Sequence, residues 1–163
     1  MVQNQNIPRK IILLSHPNLP DSIEESHLLA DVLQRELRTP RVVEAVPLML
    51  EALLSDDLET RDTAARALGR MADAIPAGGI PPAQARSVVE RLHGILAEPN
   101  AGLRAKAVRS LGKMAKAGHM DAAQKETLAG ACRRLLGEDG SFEWDRAFVV
   151  RKEADQALRS AVG

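Results

Sequence analysis

At 163 residues, with 45% hydrophobic and 27% charged side chains, the chain has the length of one domain and an ordinary globular composition. Lys+Arg and Asp+Glu balance at 22 each, which removes any global electrostatic case for a nucleic-acid or membrane-surface partner. The single cysteine excludes an intrachain disulfide and a multi-cysteine zinc site, and no apolar run approaches the ~18 residues that a membrane helix needs.

The apolar residues are of an unusual kind. Aromatics make up 2%, tyrosine is absent, and Ala and Leu supply most of the core material. A core without rings is built from many thin, close contacts between helices, whereas strands draw on aromatic and β-branched residues. The expectation is an all-α protein. The balanced charge hides a weak dipole: residues 1–83 carry 8 basic and 12 acidic side chains, and residues 84–163 carry 14 and 10. The lone Cys132 and the absence of a signal-peptide h-region at Ile11-Ile12-Leu13-Leu14 set a cytoplasmic location as the default expectation.

In chain order, residues 1–40 form an N-terminal extension. Residues 4–8 are polar, and residues 11–14 fit either a short helix or an extended segment. Ser22-Ile23-Glu24-Glu25 has the pattern of a capping box opening a helix that reaches Leu37, with Leu29, Val32, Leu33 and Leu37 apolar. This helix is expected to cap the N-terminal end of the helical array in residues 41–163.

Residues 41–163 carry an internal repeat. Arg61, Ala64, Arg66, Leu68, Gly69, Met71 and Ala72 recur as Arg104, Ala107, Arg109, Leu111, Gly112, Met114 and Ala115, all at an offset of 43. A weaker copy runs Arg151, Ala154, Ala157, Leu158. Each copy reads as the second helix of a pair. In residues 58–74, Leu58, Ala64, Ala65, Leu68, Met71 and Ala72 fall on one stripe at spacings of three and four. Gly69 costs roughly 1 kcal/mol against Ala in a helix, and its return as Gly112 points to close packing as compensation. A first helix precedes each copy: residues 42–54, residues 82–97 behind Pro81-Pro82, and residues 121–136 behind an Asp121/Gln124 capping box. Breaker clusters at residues 76–79 and 117–119 set three units, 41–76, 81–117 and 120–162.

The run Ala45-Val46-Pro47-Leu48-Met49-Leu50-Glu51-Ala52-Leu53-Leu54-Ser55-Asp56-Asp57, with Arg61-Asp62-Thr63-Ala64-Ala65-Arg66-Ala67-Leu68-Gly69 after it, resembles the HEAT-repeat consensus. That pattern has a proline in the first helix, leucines after it, an acidic turn, then Arg-x-x-Ala-x-x-Ala-Leu-Gly. The resemblance covers residues 41–161 and implies an α-α superhelix, a short HEAT-repeat solenoid of about three helix pairs. A repeat spacing near 40–47 residues fits such arrays, whose units must stack to bury their apolar faces. The third unit departs from the pattern: its turn expands over residues 137–146, and Ala157-Leu158-Arg159 replaces Ala-Leu-Gly.

The resemblance also implies roles. Arg61, Arg104 and Arg151 occupy one equivalent position and are expected to form a structural ladder, each bonding an acidic or carbonyl group of an adjacent turn or repeat. Arg66, Arg70, Arg109 and Lys113, with Lys116 nearby, fall off the apolar stripe of the second helices, which usually line the concave side of a solenoid. They form either a partner-binding basic strip or a solvated face neutralised by Asp62 and Asp73. Trp144, Phe142 and Phe148 hold every aromatic of the chain. Capping the core of the last repeat is their expected role, with a contact hot spot at Trp144 as the alternative. Cys132 is expected to be a buried hydrophobe, and His16, His27, His93 and His119 to be surface residues without metal spacing. GxGxxG, P-loop, GxSxG and HExxH motifs are missing, so no catalytic residue, metal or cofactor is assigned and no enzyme is expected.

The leading functional expectation is a protein-protein interaction scaffold that holds a partner, such as one with an acidic segment, on the surface of the second helices. The alternative is DNA binding through the basic strip. The third is an accessory subunit of a modifying enzyme or lyase.

Overall fold

The computed structural model describes residues 41–141 and 143–163. The extension and capping helix expected over residues 1–40 lie outside the described residues, as do His16, His27 and Phe142. Among the described residues the protein is all-α, with no strand.

The chain enters through α1 (Arg41–Glu44) and α2 (Val46–Ala52). The expectation over residues 42–54 is a single helix. Pro47 divides it: it has no N–H to return to the carbonyl four residues back, and it sits in the first turn of α2, where that donor is not needed. Asp57 then opens α3 (Leu58–Ala74), its carboxylate accepting the Thr60 N–H at 2.8 Å and the Thr60 hydroxyl at 2.6 Å. These bonds, the hydroxyl first, hold the Asp57 carboxyl below its ordinary range. Helix α3 buries Ala64, Ala65, Leu68, Gly69, Met71 and Ala72. Leu58, expected on the same stripe, is 46% exposed instead. It stands in the first turn, ahead of the part of α3 that meets the next helix.

Pro82 opens α4 (Pro82–Gly94), which tightens into a 3-10 turn at Ile95–Ala97. The turn ends at Glu98, held extended as the residue before Pro99. Asn100 caps α5 (Ala101–Lys116), accepting the Leu103 N–H at 2.9 Å. The reciprocal Asp121/Gln124 capping box starts α6 (Ala122–Leu136), and Gly137, at φ 77°, ends it in a left-handed turn. After an irregular stretch, α7 (Phe148–Val162) completes the chain.

Helix α5 occupies the centre. It packs along α3 on one side and α7 on the other, while α2 contacts α3 and α4, α4 lies on α5, and α6 lies on α7. Its central place explains its composition: Leu103, Ala105, Ala107, Val108, Ser110, Leu111, Gly112, Met114 and Ala115 are all buried. The core is built on the fully buried Leu68, Leu92, Leu103, Leu111, Met114 and Leu128, each worth roughly 1.5–3 kcal/mol of burial.

The two crossings of α5 share one register. A β-carbon on Gly69 would meet the Ser110 side chain, and one on Gly112 would meet the Cα and Cβ of Ala157 at 3.0 Å. Ser110 and Ala157 are themselves equivalent positions, so Gly69 and Gly112 each receive a small residue from the same position of the next helix. At the corresponding position of α7 stands Arg159, exposed to solvent. Among the described residues no helix packs there, and the requirement for glycine lapses.

The link from α5 to α6 is a Schellman turn. Gly118 adopts φ 76°, its N–H reaches the Ala115 carbonyl, and the His119 N–H reaches that of Met114 at 3.0 Å. The turn carries the His119 ring to the end of α3, where Nε2 donates toward the carbonyls of Ala72 (3.2 Å) and Ile75 (3.0 Å). The expected surface position of His119 is thereby corrected. The residue is 7% exposed and satisfies carbonyls that the end of α3 leaves unpaired.

Candidate partner-binding groove

Side chains of α3 and α5 line an open groove of about 430 Å³: Arg66 and Arg70 from α3, Lys106, Arg109, Ser110 and Lys113 from α5. The four residues singled out from the repeat pattern are thus brought together. Lys106 and Ser110 join them, and Lys116 does not line the groove. The spacings account for the arrangement, since residues four apart on one helix share a face.

Carboxylates from both flanks answer part of this charge. Lys106 pairs with Asp62 of α3, and Lys113 pairs with Asp73 of α3 at 2.5 Å. Arg109 reaches the other way, gripping Glu153 of α7 at two points, 2.9 and 2.6 Å. Glu153 is buried, and its hydrogen bonds push the Arg109 guanidinium further up from its ordinary value. Arg66 and Arg70 are exposed and have no carboxylate partner among the described residues. Five cations therefore face three carboxylates, and the excess sits on α3.

Lys106 has a signal in the sequence that lies outside the basic positions common to the repeats. With Arg104 set above Arg151, Lys106 takes the place of Glu153, and Arg66 takes that of Arg109 one helix earlier. By the shared register Lys106 holds on α5 the position that Glu153 holds on α7, and its ammonium pairs with Asp62. Arg66 and Lys106 both line the groove. Ser110 forms part of its floor, its hydroxyl donating to the Ala65 carbonyl at 2.7 Å.

The second arginine set lies at the turns. Arg104 bonds Asp145 at two points, 2.8 and 2.9 Å, and reaches the carbonyls of Glu98 (2.7 Å) and Pro99 (2.9 Å). Arg151 repeats the second half of this pattern on the carbonyls of Asp145 (2.6 Å) and Arg146 (3.1 Å). Arg61 pairs with Glu98, and its Nε is buried without a hydrogen-bond partner among the described residues. Burial alone would raise the Asp145 carboxyl. The Arg104 hydrogen bonds, the Ala147 N–H and the charges of Arg104 and Arg151 outweigh it and hold the group below its usual range.

The aromatic residues correct another expectation. Trp144 is 61% exposed and Phe148 71%, so neither fills the core of the last repeat. The Cβ of Trp144 lies over Gly137, and Phe148 stacks under the Arg151 guanidinium, 5.9 Å from ring centroid to Cζ. Trp144 is not among the lining residues of the basic groove. His93 is half-buried rather than a surface residue, with Nε2 unpartnered among the described residues. Burial first, then the charge of Arg134, lowers its pKa. Cys132 is fully buried, and burial pushes its thiol up to about 12.

Among the described residues no group of three or more His, Cys, Asp or Glu side chains is placed to hold a metal ion, and no helix is long and apolar enough to cross a membrane. No family model, curated protein or solved structure matches the chain. The groove gathers guanidinium forks and ammonium groups, with the buried Ser110 hydroxyl beneath them, which are groups suited to negative charge.

Proposed function

We propose that residues 41–163 form a short HEAT-type solenoid acting as a protein-interaction scaffold, and that it holds an acidic segment of a partner protein in the groove between α3 and α5. Three observations support the repeat reading: the 43-residue offset, the shared register of the Gly69–Ser110 and Gly112–Ala157 contacts, and the run of second helices α3, α5, α7 in successive contact. The groove carries the functional half. Five cations against three carboxylates on packed helices make a surface with an excess of positive charge suited to an anion.

The strip is short, which favours a peptide segment over a nucleic-acid backbone. Arg66 and Arg109 continue on α7 as Gln156, and Arg70 and Lys113 as Ser160, so the positive charge ends after two helices. A phosphodiester track needs cations at every step, and an unstacked strand needs aromatic platforms, which the groove does not have.

Fluorescence anisotropy with a labelled glutamate-rich peptide and a labelled DNA duplex, at low and physiological salt, tests this reading. The peptide is expected to bind with a salt-sensitive affinity that weakens at least about tenfold in Arg66→Glu/Arg70→Glu. Those residues hold no structural partner among the described residues, so the circular dichroism spectrum should stay unchanged. A duplex that binds more tightly than the peptide, or peptide binding indifferent to the double substitution, would sink the proposal.

A further inference from the structure

We infer that the occupant of the groove is a phosphorylated side chain on the partner segment, its dianion seated by Arg66, Arg70 and Lys106. The inference rests on the acidic-segment reading above and narrows it.

Three features converge on one doubly charged group. First, the repeat register is inverted in charge at a single place. Arg109 finds the Glu153 carboxylate across the α5–α7 crossing, whereas for the equivalent Arg66 the corresponding position on α5 is Lys106, and both line the groove. The position that supplies Arg109 with a counter-ion supplies Arg66 with none, although Asp62 and Asp73 answer Lys106 and Lys113 at the same crossing. Second, the uncompensated charge is two. Lys106, Lys113 and Arg109 each have a carboxylate, while Arg66 and Arg70 have none among the described residues. A phosphorylated serine or threonine brings about −1.5 to −2 at neutral pH on three acceptor oxygens, whereas a carboxylate brings one charge on two. Third, Arg66 and Arg70 lie one helical turn apart on a common face. Two planar guanidinium forks at that spacing suit the separate oxygens of one tetrahedral group.

Surroundings limit the occupant further. The strip ends at Gln156 and Ser160, so the positive surface accommodates one such group and not a run of phosphodiesters. No aromatic residue lines the groove to stack a nucleobase. Its charged neighbours are Asp62 and Asp73 from α3, Glu153 from α7 and the five cations, with no histidine among the lining residues.

The test uses the full chain and three labelled peptides of glutamate and glycine that differ only at the central residue: phosphoserine, serine or glutamate. Binding is measured by anisotropy at pH 7.5 and pH 5.5, with inorganic phosphate as competitor. The phosphopeptide is expected to bind at least about tenfold more tightly than the serine peptide and several-fold more tightly than the glutamate peptide. Its advantage should shrink at pH 5.5, because the second phosphate ionisation lies near 6. The glutamate peptide controls for titration of the protein itself. Lys106→Glu, which supplies the carboxylate that α7 supplies to Arg109, should abolish the phosphate preference, with an unchanged circular dichroism spectrum as the check on folding because the pair with Asp62 is lost. Arg70→Gln, at an exposed position, should reduce the preference independently. Equal binding of phosphoserine and glutamate peptides, flat with pH, overturns this inference and leaves the acidic-segment reading standing. Displacement by inorganic phosphate at concentrations comparable to the peptide overturns the assignment to a protein segment. Failure of all three peptides to bind overturns both.

Discussion

Gly69 lies so close to Ser110 that a β-carbon added to it would collide with the Ser110 Oγ and stand 3.0 Å from its Cβ. Ser110 cannot simply turn away, because its hydroxyl donates to the Ala65 carbonyl in a buried setting. Two effects therefore oppose each other in Gly69→Ala. Helix propensity gains about 1 kcal/mol, and overpacking costs about 1–3 kcal/mol together with a strained or lost buried hydrogen bond. The expected net is destabilisation of about 1–2 kcal/mol in urea titration, the reverse of what an exposed helical glycine gives. Adding Ser110→Ala removes the closest contact, the one to Oγ, and leaves the one to Cβ at 3.0 Å. The double variant should be more stable than the sum of the singles. A stabilised Gly69→Ala would contradict the close approach.

That contact also marks what the sequence disclosed and what it withheld. The repeat is readable because two crossings demand the same small residue at the same step, and the demand leaves Gly69 and Gly112 at one offset. Helix α3 is legible in its bounds because the Ala/Leu stripe is a local signal, although Leu58, placed on that stripe, is exposed. His119 is not: its burial depends on a turn after α5 delivering a ring to carbonyls on α3, a relation between segments 44 residues and more apart. The aromatic residues mislead for a different reason. Large rings are usually core, but this core is already filled by Ala and Leu. The charge inversion at Lys106 is present in the alignment of the repeats, and it acquires meaning only when the crossings are known to share a register.

The turn arginines differ in how much they hold. Arg104 satisfies two carbonyls of one turn and grips Asp145 of the next, with 14% and 6% of the two side chains exposed. Arg61 makes one ion pair to Glu98, on a side chain 32% exposed. Removing Arg104 leaves the Asp145 carboxylate with only the Ala147 N–H and two carbonyls without their Arg104 donor, so Arg104→Ala is expected to cost about 2–4 kcal/mol. Arg61→Ala should cost about 1 kcal/mol or less, near the range of exposed pairs. Chemical denaturation of the two variants decides this, and equal losses would contradict the geometric difference.

Asp145 gives the fold an acid limb. Its folded-state pKa is depressed, so its contribution is present above the unfolded value and is lost as pH falls through the folded one. With an unfolded aspartate near 3.9, that window opens below about pH 4. Asp145→Asn should therefore lower the thermal midpoint at pH 7, where the charged pair with Arg104 is broken. The difference from wild type should narrow as pH falls below about 4, where the unfolded-state carboxyl takes up its proton. A constant difference between pH 7 and pH 3 would show that the side chain acts through shape and not through charge.

Cys132 reports on how the helices open. The thiol is fully buried on α6, and burial pushes its pKa up to about 12, against which the charge of Arg133 is a minor pull. Only the thiolate reacts, and an unperturbed cysteine near 8.5 is substantially ionised at pH 8. The native thiol should then react with a disulfide reagent at pH 8 on the order of a thousandfold more slowly than the urea-unfolded chain. Burial adds a second barrier, because the reagent must reach a residue packed between helices. Reaction should proceed through opening, so the labelling rate should climb with sub-denaturing urea in proportion to the opened population. Gly69→Ala, destabilised at the α3–α5 crossing, separates two cases. If the helices open as one unit, labelling of Cys132 accelerates by the full equilibrium loss, about tenfold for each 1.4 kcal/mol. If α6 and α7 open without α3, the rate at Cys132 stays that of the wild-type chain.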